Sequence, residues 1–83
     1  MDSEQQRAVE ALLRMRFPLP AEIIIELVAG GGARFRVITE RAERTLFIGQ
    51  QVFERLPTPA DLTQHLQALT VLVSLQDEDV LVL

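Results

Sequence analysis

The chain has 83 residues, no cysteine and a formal net charge of −4 at pH 7. Disulfides, thiolate metal sites and a cysteine nucleophile are thereby excluded, and a general binder of nucleic acid or anionic membrane is disfavoured. Apolar residues make up 48%, too many for a disordered segment, so one folded domain over residues 1–83 is expected, burying roughly 60–65% of its unfolded surface.

All eight basic residues are arginine, and lysine, asparagine and tyrosine are absent. The missing types share A/T-rich codons, which predicts a GC-rich, bacterial source. Asp2 and Glu4 stand where a secretion signal carries positive charge, and no apolar run approaches the roughly 18 residues of a membrane span. A soluble, cytoplasmic protein is expected.

A helix comes first. Ser3 or Asp2 caps it, Ser3 with Gln6 has the form of a capping box, and Ala8, Val9, Leu12, Leu13 and Phe17 recur at helical spacing. Glu10 and Arg14 are four apart on the other face, as a solvated surface requires. "FPLP" then stops the helix, because Pro18 and Pro20 disfavour helical geometry before them.

"AEIIIELVA" and "ARFRVITER" read as two strands around three consecutive glycines. Ile23, Ile25 and Leu27 share one face of the first, with Glu22, Ile24, Glu26 and Val28 on the other. In the second, Phe35 and Val37 oppose Arg34, Arg36 and Ile38. A loop of Gly30, Gly31 and Gly32 with Ala29 opposite Ala33 sets Leu27 against Phe35, Ile25 against Val37 and Glu26 against Arg36, all compatible pairs. A phosphate-binding loop instead needs a Gly-Lys-Ser/Thr ending or separated glycines opening a helix, and neither follows here.

"RAER" (Arg41–Arg44) predicts a second turn into "TLFIGQQV", where Leu46, Ile48 and Val52 alternate along a third strand. Thr58, Pro59 and Asp61 then form a helix start as N-cap, first helical position and first-turn acid, followed by a Leu62, Leu66, Leu69 stripe. The last segment, "TVLVSLQDEDVLVL", is compatible with a continued helix, but its β-branched content and polar "QDED" favour a hairpin. The expected fold is a small α+β domain of order α-β-β-β-α-β-β, an antiparallel sheet packed against two helices.

Candidate chemistry is sparse. His65, the one histidine, falls on the leucine stripe and reads as a core-edge residue, because a general base or metal ligand needs partners that the sequence does not place around it. Asp77, Glu78 and Asp79 do not match a calcium loop and read as a solvated turn guarding two apolar strands. No metal, no cofactor and no enzymatic activity is expected.

Arg34, Arg36, Arg41 and Arg44 crowd the central hairpins, with Glu22 and Glu26 expected to neutralise the first two across the strand pair. No tyrosine or tryptophan is present to stack bases, and the phenylalanines read as internal. "VITERAERTLFIGQQV" (Val37–Val52) nonetheless resembles the first hairpin of the carbon storage regulator family of bacterial RNA-binding dimers, through Thr39, Arg41, Thr45, Leu46, Ile48, Gly49 and Val52. The resemblance covers 16 of 83 residues and implies that Thr39 and Arg41 lie on an RNA-facing first strand. Glu40 and Glu43 depart from it, standing where that family has a basic residue and a turn glycine.

A leading helix before a strand-glycine-strand meander also resembles Sm-like RNA-binding folds, without their Asp and Asn signature after Phe35. In architecture alone, the element order resembles acidic dimeric secretion chaperones.

Two readings of function follow. The leading one is a small non-enzymatic protein-interaction module, adaptor or chaperone-like, acting as a homodimer or on another protein. Its candidate interface is Val80, Leu81, Val82 and Leu83, since "VLVL" is apolar on both faces and needs covering on both. The alternative is RNA binding, with Arg34, Arg36, Thr39, Arg41 and Arg44 as candidate contacts.

Overall fold

The computed structural model describes residues 3–71, 74, 75 and 78–83. Its first element, α1, runs Ser3–Arg16 and buries Val9, Leu12 and Leu13, the stripe the spacing predicts. Asp2, the other capping candidate, lies outside the described residues. Arg14 does more than face solvent beside Glu10: its Nη1 donates to the carbonyls of Phe17 and Ala21, tying the proline loop back onto the helix.

Three strands follow as an antiparallel meander: β1 (Glu22–Leu27), β2 (Ala33–Ile38) and β3 (Glu43–Ile48). The glycine run is the turn between the first two, but the register differs by two residues from the expected one. Leu27 pairs with Ala33, Ile25 with Phe35 and Glu26 with Arg34.

The cause is local. The three-residue loop is Ala29–Gly30–Gly31, closed by Gly31 N–H to Val28 O (3.0 Å) and Val28 N–H to Gly32 O (2.9 Å). Gly30 and Gly31 supply the left-handed φ values of 97° and 98°, which side chains resist. Gly32 is required for space instead: a Cβ there would lie 2.8 Å from the Ile48 carbonyl oxygen. A slip of two preserves the side-chain alternation, so each residue keeps its expected face.

The second turn comes earlier than Arg41–Arg44, since Glu43 and Arg44 already belong to β3. Thr39 N–H donates to Ala42 O (2.9 Å), while the Thr39 hydroxyl accepts from Ala42 N–H (3.2 Å) and donates to Ala42 O (3.0 Å). Only Glu40 and Arg41 are left at the tip.

The second half departs further from expectation. After Ile48 the chain does not continue as a strand: Gly49 caps α2 (Gln50–Arg55), in which Val52 and Phe53 are buried. Helix α3 (Pro59–Ala68) starts as the sequence predicts, with the Thr58 side chain accepting from Asp61 N–H at 3.2 Å. Thr70 then turns into left-handed geometry at φ 53°.

Beyond it, Val71, Ser74 and Leu75 are helical, where a strand was expected. Val71 and Leu75 are four apart and both fully buried, a spacing that suits a helix and not an alternating strand. Residues 72, 73, 76 and 77, which share that expectation, lie outside the described residues.

The chain returns as β4 (Val80–Val82), parallel to β3, giving a four-stranded mixed sheet of order β1-β2-β3-β4. The path through α2, α3 and the further helical turn is a crossover, which delivers a strand parallel to its neighbour, whereas the expected hairpin would have made it antiparallel to the strand before it. The fold is therefore α+β, with a mixed sheet and more helix than the sequence suggests. Among the described residues no helix is long and apolar enough to cross a membrane.

All helices pack on one face of the sheet. Ala33, Phe35, Val37, Leu46 and Ile48 join Val9, Leu12 and Leu13 of α1, Val52 and Phe53 of α2, Leu62 and Leu66 of α3, and Val71 and Leu75 in one buried cluster. Gln5 is the buried polar member. Its Nε2 donates to the carbonyls of Phe53 (3.1 Å) and Leu56 (2.9 Å), satisfying the end of α2.

Candidate interaction surface

With the helices on one side, the alternation of each strand presents every second residue to the other, uncovered side. Across the sheet these residues line up as Glu26, Arg34, Phe47 and Val82 in one row, and Ile24, Arg36, Thr45 and Val80 in the next. A third row holds Glu22, Ile38 and Glu43. The open face thus changes in character from acidic and apolar at β1, through arginines on β2, to apolar at β4.

At its centre lies an ion-pair cluster. Arg36 Nε donates to Glu43 Oε1 at 2.6 Å, and Glu26 Oε1 lies 3.6 Å from Arg36 and 3.7 Å from Arg34. The Arg36 pKa is raised above its ordinary value, first by the hydrogen bond to Glu43 and then by the attraction of the same carboxylate. Glu26 Oε1 is shielded and accepts no hydrogen bond.

The five residues considered for nucleic-acid contact are not brought together. Arg34 and Arg36 share the open face, where acids hold them. Thr39 is in the turn after β2 and spends its hydroxyl on Ala42. Arg41 sits beside it at the tip, so neither lies on a strand as the resemblance to the carbon storage regulators implies. Arg44 points to the helix side and pairs with Asp79.

Arg41 also lines a groove of about 640 Å³ between this turn and the proline loop. The groove mixes Arg16 and Arg41 with Glu22 and Glu40 over Phe17 and Pro20. His65 is half-buried on α3, beside the buried Leu66. Leu69, expected on the same stripe, is 47% exposed.

No family model matches this chain, and no curated protein or solved structure matches it.

The four interface candidates fall at the β4 margin. Leu81 and Leu83 pack against the core, while Val80 and Val82 are 58% and 66% exposed on the open face. Backbone bonds from Thr45 N–H to Asp79 O (2.8 Å), Leu83 N–H to Phe47 O (2.8 Å) and Gly49 N–H to Leu83 O (3.1 Å) join β4 to β3 through its odd-numbered residues. By alternation, the backbone groups of Val80 and Val82 point away from the sheet.

Phe47 is the residue that sequence reasoning misplaced here. Leu46 and Ile48 take the helix side with no exposure, so the residue between them must face outward, next to Val82. The parity of that strand was the signal that would have found it.

Proposed function

We propose that this protein is a small non-enzymatic interaction module that acts as a homodimer, with β4 as its self-contact. The observation that carries this reading is an edge strand without a charged residue, whose two outward side chains, Val80 and Val82, are exposed beside Phe47. An edge of this kind is a template for another strand.

Two copies meeting antiparallel about Leu81 place Val80 of one opposite Val82 of the other. Both N–H···O=C bonds then form in each pair, and the paired residues 80–82 carry no charged side chain. The sheet continues from one copy to the next, and the two apolar corners merge into one band. Such a band is the surface an adaptor or chaperone-like module presents to a further protein. Because β4 has three residues, the contact is small, and dissociation is expected at micromolar concentration.

RNA binding through the arginines finds less support. Glu26 and Glu43 occupy Arg34 and Arg36, and Asp79 holds Arg44 on the opposite face. Sedimentation analysis of the chain and of Val82→Glu tests the dimer, since a charge at that position would face the second copy's Val80. The expected result is a dimer that the substitution converts to monomer.

A further inference from the structure

We propose that the opposite margin, β1, is a docking edge for an extended segment of a different protein. That segment carries lysine or arginine at two positions four apart on one face and apolar residues on the other. The proposal does not rest on the dimer reading, because β1 and β4 are the two separate ends of the sheet.

The backbone provides the first part. Val28 N–H donates to Gly32 O, so within the β1–β2 ladder the even-numbered residues Glu26, Ile24 and Glu22 direct their backbone groups to β2. Ile23, Ile25 and Leu27 direct theirs outward, where the sheet has no further strand. Six consecutive residues of β1 keep unbroken register with β2. No bulge and no proline interrupts them, although those are common ways of blunting an edge. Strand addition to such an edge draws its affinity from main-chain hydrogen bonds and its selectivity from alternate side chains.

The side chains say which strand fits. On the open face β1 presents Glu22, Ile24 and Glu26; on the other, half-buried Ile23 and Ile25 lead to Leu27, which is 73% exposed. Ile38 stands opposite Glu22 across the ladder, and the Glu26 side chain, though near two arginines, stays 39% exposed. Cations four residues apart on an incoming strand would face both acids, with an apolar residue between them to meet Ile24.

The same acids turn away a second copy. In an antiparallel β1–β1 pair centred on Ile24, Glu22 faces Glu26 twice. Centred on Glu26, that residue faces itself, and centred on Ile25, Ile24 is set against Glu26. Like charges directly opposite one another destabilise a pair. The edge therefore selects a basic partner over itself.

The probe is a capped, fluorescently labelled peptide with the core Lys-Val-Ile-Val-Lys, compared with the same peptide carrying Glu in place of Lys. The lysine peptide is expected to bind saturably and to slow amide exchange at Ile23, Ile25 and Leu27, and the glutamate peptide to bind at least tenfold more weakly. Glu22→Lys/Glu26→Gln should weaken the lysine peptide about fivefold. Leu27→Pro removes an outward N–H from an exposed position and should weaken it about tenfold, with the circular dichroism spectrum unchanged. Equal affinity for the two peptides, no binding of either, or exchange protection at Val80 and Val82 in place of the β1 amides overturns the proposal.

Discussion

The two margins of this sheet have the same defect and different side chains. Both β1 and β4 leave backbone donors and acceptors without a neighbouring strand among the described residues, yet β1 carries Glu22 and Glu26 on one face while β4 has no charge at all. On open edges of both kinds, the side chains decide what pairs. Two acids exclude a like copy and admit a basic strand, and two valines admit a like copy. Neither margin contributes to the buried cluster through these outward residues, so pairing choice and fold stability are separable here.

Breaking what both margins share should have the largest effect. Phe35 is fully buried at the centre of the sheet, and Phe35→Ala is expected to cost about 3–5 kcal/mol, measured by urea unfolding, with both margins lost together. Gly32→Ala should cost about 1–3 kcal/mol, since the added methyl meets the Ile48 carbonyl and the Gly49 backbone, neither of which can yield as a flexible side chain does. Gln5→Ala leaves the Phe53 and Leu56 carbonyls without their donor and should also cost about 1–3 kcal/mol.

At the other end of the scale, Arg36→Ala removes an exposed ion-pair partner of Glu26 and Glu43. It should leave the urea unfolding midpoint nearly unchanged. A larger loss would show that the open face supports the fold after all and would blur the contrast between core and margins.

The first half of the chain was legible because its signals are local. The stripe Val9, Leu12, Leu13 and the alternations of β1 and β2 each depend on a few adjacent residues and appear in the fold, as does the equally local Thr58-Pro59 helix start further on. The β1–β2 register slipped by two because a run of three glycines permits more than one loop, and the choice was made by Gly32 packing against Ile48, a contact between distant residues.

The second half was misread for a related reason. Val71 and Leu75 are β-branched or aliphatic residues that suit either element locally, and burial against the sheet selected the helix. That selection reversed the direction of β4. Of the candidate residues, the β4 set fell at one margin, whereas the arginines were separated by a turn at Thr39 and by strand parity at Arg44, neither visible in their spacing alone.

Sedimentation velocity across roughly 1–100 μM, run on the natural chain, Val82→Glu and Glu22→Gln, tests the central claim most directly. The expected result is a monomer–dimer equilibrium for the natural chain and for Glu22→Gln, with Val82→Glu monomeric and unchanged in circular dichroism. A natural chain that stays monomeric throughout, or a Val82→Glu chain that still dimerises, would contradict it.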